Sequence, residues 1–166
     1  MVNNPGDSKA AYNSAIDMLS RRDRSEKDLY DRLIKKGFEE NAVADAITKL
    51  KDKHYIDDVR MAAHFISAHL SGQSLAQIKF KLMSKGIGSE DIAAAIAQVS
   101  DEAVDDSETV RSRQAAAVAE ILKKKKFDDN EQSSDKILAS LSRKGFSYDI
   151  IREGIFLYKE ELSEED

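Results

Sequence analysis

The sequence contains no cysteine, no tryptophan and a single proline in 166 residues. Without cysteine, disulfide bonds, thiolate metal sites and a cysteine nucleophile are excluded. After Pro5 no residue forces a helix to break. Strand-forming runs of β-branched and aromatic residues are scarce, whereas Ala, Lys, Glu, Asp, Leu and Ser are abundant. The composition therefore predicts an all-α protein.

Long hydrophobic runs are also missing. No stretch approaches the ~20 apolar residues of a membrane-spanning helix, and residues 1–9 lack the basic and apolar regions of a secretory signal. We therefore expect a cytoplasmic protein with no membrane partner. The chain has 26 basic and 31 acidic residues and a net charge of -5, which argues against general binding to phosphate backbones.

A tripeptide that occurs three times marks an internal repeat. It reads Lys36-Gly37-Phe38, Lys85-Gly86-Ile87 and Lys144-Gly145-Phe146. Apolar residues recur eight and four positions before each glycine and six and ten positions after it, with a small residue nine positions after. In chain order these are Leu29, Leu33, Val43, Ala46 and Ile47; Ile78, Leu82, Ile92, Ala95 and Ile96; and Ile137, Leu141, Ile151, Gly154 and Ile155. Such self-similarity predicts tandem structural units.

A serine stands twelve residues before each glycine, at Ser25, Ser74 and Ser133. Serine accepts a hydrogen bond from the first turn of a helix, and Asp28 or Gln77 three residues later makes a capping box in the first two copies. The glycine supplies the left-handed residue that ends the helix. Each copy is therefore predicted to contain a first helix, a serine-capped middle helix, a glycine turn and a last helix.

Apolar residues at helical spacing ahead of each serine predict the first helix of each unit. They are Tyr12, Ile16 and Leu19; Met61, Phe65 and Ala68; and Val110, Ala117, Val118, Ile121 and Leu122. The glycines lie 49 residues apart in the first pair and 59 apart in the second. The third copy therefore has about ten additional residues, which we assign to the connection from Lys123 to Gln132.

The predicted fold is three tandem three-helix, helix-turn-helix-like repeats that stack into an elongated, curved array. Its predicted bounds are a disordered N-terminus at 1–8, repeat 1 at 9–57, repeat 2 at 58–100, an acidic linker at 101–107, repeat 3 at 108–162 and a disordered C-terminus at 163–166. One aspartate of the pair Asp57 and Asp58 is expected to cap the first helix of repeat 2.

The side chains that could perform chemistry are better explained by structure. His64 and His69 are five residues apart and diverge around a helix, so they do not form a pair of metal ligands. The seven glycines do not have the spacing of a phosphate-binding loop. We expect neither a cofactor nor enzymatic activity; a small hydrolase with a carboxylate site is the enzymatic alternative.

The basic residues are the candidate partner-binding side chains. They are Arg21, Arg22, Arg24, Arg32, Lys35 and Lys36; Lys79, Lys81 and Lys85; and Lys123, Lys124, Lys125, Lys126, Arg143 and Lys144. One interpretation is that they complement helix dipoles and keep the surface soluble. The other is that pairs such as Arg32 with Lys36 and Lys81 with Lys85 form an interaction stripe. Sequence-specific DNA reading is not expected, because residues 90–98 of repeat 2 are mainly alanine and acidic.

Four segments resemble the RecX family of bacterial regulatory proteins: 19–29 (LSRRDRSEKDL), 33–38 (LIKKGF), 55–58 (YIDD) and 82–87 (LMSKGI). The resemblance covers residues 10–100 with specific motifs and the third copy more loosely. Two positions depart from it. Residues 67–73 read SAHLSGQ where the family is basic, and Met61 stands where the family has phenylalanine.

The resemblance implies a cytoplasmic regulator that binds RecA, or the groove of the RecA–DNA filament, and we expect the chain to be a monomer. It also implies inhibition of the recombinase, ATPase and co-protease activities of RecA, and hence a role in DNA repair and the SOS response. The alternative is a helical protein that binds single- or double-stranded DNA non-specifically through its basic groups. Steeply salt-dependent binding to naked DNA would favour that alternative.

Overall fold

The structure is a computed structural model that describes residues 4–101, 109–127 and 131–164, with the side chains of 131–133 excepted. Within these ranges the chain forms helices and no strand, which confirms the all-α prediction. The helices are α1 (Ser8–Leu19), α2 (Glu26–Lys36), α3 (Glu40–Asp52), α4 (Asp58–His69), α5 (Leu75–Ser84), α6 (Ser89–Asp101), α7 (Val110–Lys124), α8 (Glu131–Arg143) and α9 (Tyr148–Glu164). They follow the three predicted triplets in order.

The packing divides the chain into two compact units. The first consists of Met1–Ala62 and Leu82–Ile92, and the second of Ala63–Lys81 and Ala93–Asp166. Each helix of the second triplet contributes residues to both units. Most of the predicted acidic linker at 101–107 lies outside the described residues, and the predicted repeat bounds stay predictions.

The glycine turns adopt the predicted conformation. Gly37, Gly86 and Gly145 have φ of 103°, 85° and 86°, which is the left-handed region that glycine enters without a Cβ clash. The amides of the apolar residues that follow return to the preceding helices. For example, Phe38 N–H donates to the Leu33 carbonyl at 3.2 Å. These contacts end the middle helices as the sequence predicted.

The serine caps are confirmed in two of the three units. Ser25 Oγ accepts from Asp28 N–H, and Ser74 Oγ accepts from Gln77 N–H, each at 3.2 Å. Ser74 N–H also donates to Gln77 Oε1 at 3.3 Å, which completes the capping box. The box predicted for Asp28 is wrong because that carboxylate binds two arginines instead. Ser133, the cap predicted for the third unit, lies inside α8 two residues after its start, and its side chain is outside the described residues.

The buried face of the first helix is shifted from the predicted one in α1 and α4, whereas in α7 the predicted residues Val110, Ala117, Val118 and Leu122 are buried. In α1 the buried residues are Ala11, Ser14 and Ala15, whereas Tyr12, Ile16 and Leu19 are half-buried around them. In α4 the buried residues are Ala62, Ala63 and Ile66, followed by Leu70 just after the helix, instead of Met61, Phe65 and Ala68. Small residues let neighbouring helices approach closely, so the larger side chains lie at the edge of the contact. The spacing of the apolar residues predicted the helices but not which face of α1 and α4 is buried.

Two equivalent contacts, here called the first and second junctions, link the serine cap of one repeat to the glycine turn of the next. At the first junction Ser25 Oγ donates to the Lys85 carbonyl at 2.5 Å, within the first unit. At the second, Ser74 Oγ donates to the Lys144 carbonyl at 2.5 Å, within the second unit. Both serines are buried. Each hydroxyl therefore caps a helix and bonds to the neighbouring repeat.

Helix α7 packs closely on α9 in the second unit. A Cβ built on Gly154 would lie 2.8 Å from the Ala115 carbonyl oxygen and closer still to Val118, so only glycine allows this approach. The insertion in the third copy lengthens α7 and places Phe127 in the core, where its carbonyl accepts from the Tyr158 hydroxyl at 3.0 Å. The additional residues thus contribute to packing.

Gln114 on α7 organises the turn between α4 and α5. It is 4% exposed. Its Oε1 accepts from Leu75 N–H at 2.7 Å, and its Nε2 donates to the carbonyls of Leu70 and Gln73 at 3.0 and 2.8 Å. A buried amide that is fully hydrogen-bonded fixes the backbone around it. This turn positions the start of α5 and the surface described next.

Candidate functional site

The predicted cations of the first repeat divide into two groups. Arg21 and Arg22 are exposed in the connection between α1 and α2. Arg24 and Arg32 flank Asp28, with Arg24 Nη1 2.7 Å from Oδ2 and Arg32 Nε 2.9 Å from Oδ1. Burial alone would raise the pKa of Asp28, but hydrogen bonds and the charges of Arg32 and Arg24 outweigh it and lower that pKa. These two arginines are therefore partly neutralised.

The predicted pair of Arg32 and Lys36 lies on neighbouring turns of α2 but has separate partners. Lys36 Nζ donates to the buried Ser14 hydroxyl on α1 at 2.6 Å. Lys35 is exposed in the same last turn, where a positive charge is favourable at the negative end of the helix dipole. Lys36 thus has a structural role, and Lys35 remains a surface cation.

The second junction brings together predicted cations that are far apart in the sequence. Lys81 on α5 and Arg143 and Lys144 at the end of α8 line one groove of about 680 Å³. Gln73 and Gln77 also line it, and Gln73 Oε1 accepts from Lys81 Nζ at 2.8 Å. None of the described residues that line this groove is acidic. We call it the second-junction groove.

The sequence interpretation missed Phe80, which also lines the groove and is 74% exposed. The buried stripe of α5 contains Ile78 and Leu82. Phe80 is two residues from each, which places it about 160–200° away around a helix. The sequence signal that could have identified Phe80 was therefore an aromatic residue outside the buried stripe of α5.

The remaining predicted cations lie elsewhere. Lys79 is exposed on α5, and Lys85 is exposed beside the first junction. Lys123 Nζ lies 3.5 Å from Glu161, and Lys124 Nζ lies 4.0 Å from Glu120. Lys125 and Lys126 are exposed after α7. These lysines are not part of the second-junction groove.

An electrostatic cluster surrounds the start of α2 in the first unit. Asp58 Oδ1 accepts from Glu26 N–H at 3.0 Å, and Lys51 Nζ lies 2.7 Å from Glu26 Oε2. Burial raises the pKa of Asp58; the Glu26 N–H opposes this shift, and the charge of Asp91 adds to it. Asp57 caps α4 by accepting from Arg60 N–H at 2.8 Å, as predicted for one aspartate of this pair. Asp57, Asp58 and Lys51 therefore bind other residues of the fold and have structural roles.

The histidines have no metal-site geometry in the described ranges, where no group of three or more candidate ligand residues could hold an ion. His69 stacks on Phe65 with ring centroids 4.0 Å apart, and its Nδ1 lies 2.8 Å from the Phe65 carbonyl. This is a local contact within α4. None of the helices in the described ranges combines the length and apolar character needed to cross a membrane.

Comparison with known proteins agrees with the helix triplets. The family model for "RecX, first three-helix domain" matches residues 11–50. The regulatory protein RecX of Bacillus licheniformis is 35% identical over 147 residues, which cover 87% of this chain and 54% of the relative. The regulatory protein RecX of Clostridium perfringens is 34% identical over 137 residues, which cover 82% of this chain and 63% of the relative. Over more than four fifths of its length, this chain is therefore similar to RecX regulatory proteins.

Solved RecX structures share the fold of this chain. RecX from Lactobacillus salivarius superposes with a TM-score of 0.76 at 24% identity, over 92% of this chain and 96% of that one. A second regulatory protein RecX gives a TM-score of 0.70, also at 24% identity, over 87% of this chain and 71% of the other. The chain spans about half to two thirds of the length of the curated RecX relatives above.

Proposed function

We propose that this chain is a RecX-family regulator that binds RecA, or the groove of the RecA–DNA filament, and inhibits its recombinase, ATPase and co-protease activities. The proposal assigns it a role in DNA repair and the SOS response, and a mechanism that depends on binding instead of catalysis. The supporting observation is the match over most of the chain to relatives named as regulatory proteins.

The surface of the chain is compatible with this mechanism. The candidate cations are distributed over all three helix triplets, whereas the core positions of the repeats are regular. A partner built from repeated subunits presents similar surfaces at intervals, and a tandem-repeat protein can contact several of them at once. A chain bound across several subunits would oppose filament growth by occupying their surfaces. This mechanism does not require a reactive group in the chain.

The test is a titration of purified chain into RecA with single-stranded DNA and ATP. We expect the DNA-dependent ATPase rate to fall at or below equimolar ratios, together with co-sedimentation of the chain with filaments. A rate that stays unchanged over a wide titration, with no co-sedimentation, contradicts the proposal. The ATPase rate of filaments mixed with an unrelated acidic helical protein provides the control.

The alternative is non-specific DNA binding through the basic groups, and the exposed residues Lys125 and Lys126 are the observation in its favour. Binding to naked DNA driven by counterion release weakens steeply with salt. Fluorescence anisotropy with a labelled oligonucleotide at increasing salt therefore distinguishes the two functions. Tight binding to naked DNA that weakens steeply with salt, with RecA activity unaffected, would favour the alternative.

A further inference from the structure

The two junctions have equivalent backbones but different surfaces. A Cβ built on Gly86 would lie 3.0 Å from Lys27 Cβ, and one built on Gly145 would lie 2.9 Å from Ala76 Cβ. Lys27 and Ala76 each stand two residues after the capping serine of their repeat. The same positions therefore meet at both junctions, so their side chains can be compared directly.

At the first junction the side chains neutralise one another. The aliphatic part of Lys27 lies against the Gly86 turn, and Lys27 Nζ is 3.0 Å from Asp31. The next residue, Asp28, binds both Arg24 and Arg32 through its carboxylate. Lys27, Arg24 and Arg32 are therefore paired with carboxylates, and the stem of Lys27 covers the glycine turn. The protein's own side chains thus cover and neutralise this surface.

At the second junction the equivalent positions have lost these features. Ala76 replaces Lys27, Gln77 replaces Asp28, and Phe80 replaces Asp31. The short alanine leaves the second-junction groove open above the Gly145 turn, and its described lining includes Lys81, Arg143 and Lys144 but no acidic residue. The result is a groove with three positive charges and an exposed phenylalanine in a chain whose net charge is -5.

This chemistry favours a short acidic peptide over a nucleic-acid strand. Proteins that bind single strands use a continuous positive groove and several aromatic rings, whereas the described residues that line this groove include one ring and three cations. The negative net charge of the chain also repels a polyanion at long range. A peptide with a few carboxylates around one apolar side chain complements both the cations and the exposed ring.

We propose that the second-junction groove binds an acidic peptide segment of a partner protein. An apolar side chain of the segment packs on Phe80, and its carboxylates pair with Lys81, Arg143 and Lys144. This inference rests on the proposed function, in which the partner is RecA, and it assigns one contact surface of that complex.

Site-directed photo-crosslinking tests the occupant of the groove. Because the chain has no cysteine, Phe80→Cys carries a single benzophenone maleimide, and Asp31→Cys labels the equivalent position of the first junction. After irradiation with RecA filaments, we expect position 80 to link to a segment of RecA rich in Asp and Glu, with position 31 linking at least tenfold less. A link from position 80 to DNA, equal links from both positions, or no link despite filament binding overturns the proposal.

Substitution tests the charges and the ring without a label. Phe80→Asp restores the carboxylate of the first junction, and Lys49→Ala makes the same change in net charge on exposed α3. We expect Phe80→Asp to weaken filament binding at least about tenfold, or about 1.4 kcal/mol, and Lys49→Ala to change it less than twofold. Circular dichroism checks that both variants fold as the wild type does.

A second pair of variants keeps the test independent of Phe80. Removing two groove cations, Lys81→Ala with Lys144→Ala, should weaken filament binding, whereas Lys125→Ala with Lys126→Ala should not. If both groove variants bind as the wild type does, the groove proposal is overturned and the proposed function stands. If the wild type itself binds no filament, both proposals are overturned.

Discussion

The Ser25 hydroxyl donates a hydrogen bond to the carbonyl oxygen of Lys85, 60 residues later in the chain. Ser74 makes the same bond to Lys144 over 70 residues. The ten-residue difference corresponds to the insertion in the third copy, so the contact is retained although the chain between its partners is longer. The bond also explains why these serines are buried, since a cap alone could remain exposed to water.

Replacing Ser74 by alanine should destabilise the protein by about 2 kcal/mol, because it removes both a helix cap and a hydrogen bond to the next repeat. Urea unfolding followed by circular dichroism measures the change. Ser142→Ala, on an exposed position of α8, is the matched control and should change stability by less than about 0.5 kcal/mol. Equal effects of the two substitutions would show that the Ser74 bonds contribute nothing.

Gln114→Leu should cost about 3 kcal/mol, although leucine has nearly the same size. The substitution leaves Leu75 N–H and the carbonyls of Leu70 and Gln73 without their partner, and unsatisfied buried polar groups are costly. Asn41→Ala removes an exposed amide and serves as the control in the same unfolding experiment. A Gln114→Leu protein as stable as this control would contradict the conclusion that the Gln114 amide fixes the turn between α4 and α5.

Gly154→Ala should destabilise the protein by about 2 kcal/mol, because the new methyl group overlaps Val118 and the Ala115 carbonyl. Gly72→Ala is the matched control, since a Cβ at that position meets no described atom within 4 Å. The control should be unchanged or more stable by up to about 1 kcal/mol, because alanine restricts the unfolded chain. Similar melting temperatures for the two variants would contradict the close packing of α7 and α9.

Asp58 and Asp28 should affect stability in opposite directions as the pH changes. The pKa of Asp58 is raised by burial, so its contribution to stability falls as the pH rises from the unfolded pKa to the folded pKa. The pKa of Asp28 is lowered by Arg32 and Arg24 against the effect of burial. Its contribution is present above the unfolded pKa and is lost as the pH falls through the folded pKa.

Replacing either aspartate by asparagine removes its titration. The free energy of unfolding of each variant, measured as a function of pH, therefore tests these assignments. At pH 7 we expect Asp58→Asn to be more stable than the wild type and Asp28→Asn to be less stable. As the pH falls toward about 4, near the ordinary pKa of aspartate, the advantage of Asp58→Asn should shrink first, while the deficit of Asp28→Asn persists to lower pH. Parallel curves for the two variants would contradict these assignments.

Local signals in the sequence predicted the backbone of the repeats well. Glycine at a helix end and serine at a helix start act through their nearest neighbours, so Gly86 and Ser74 could be assigned without a structure. The buried face of α1 could not, because which side of a helix is buried depends on how closely its neighbour approaches. The interaction candidates were identified only as basic residues. The groove that joins Lys81 to Arg143 requires the contact between Ser74 and Lys144, which no local pattern encodes.

The serine-to-carbonyl bonds also constrain the order of events during synthesis. When Ser25 is added to the nascent chain, the residue whose carbonyl will accept its hydrogen bond has not been made, and 60 more residues must follow before Lys85 is added. The first repeat can therefore form its helices early but cannot complete this contact until most of the second repeat has been translated. A nascent chain that stalls between these two points would hold a hydroxyl with no acceptor from its own fold, a state that a ribosome-tethered folding experiment could isolate.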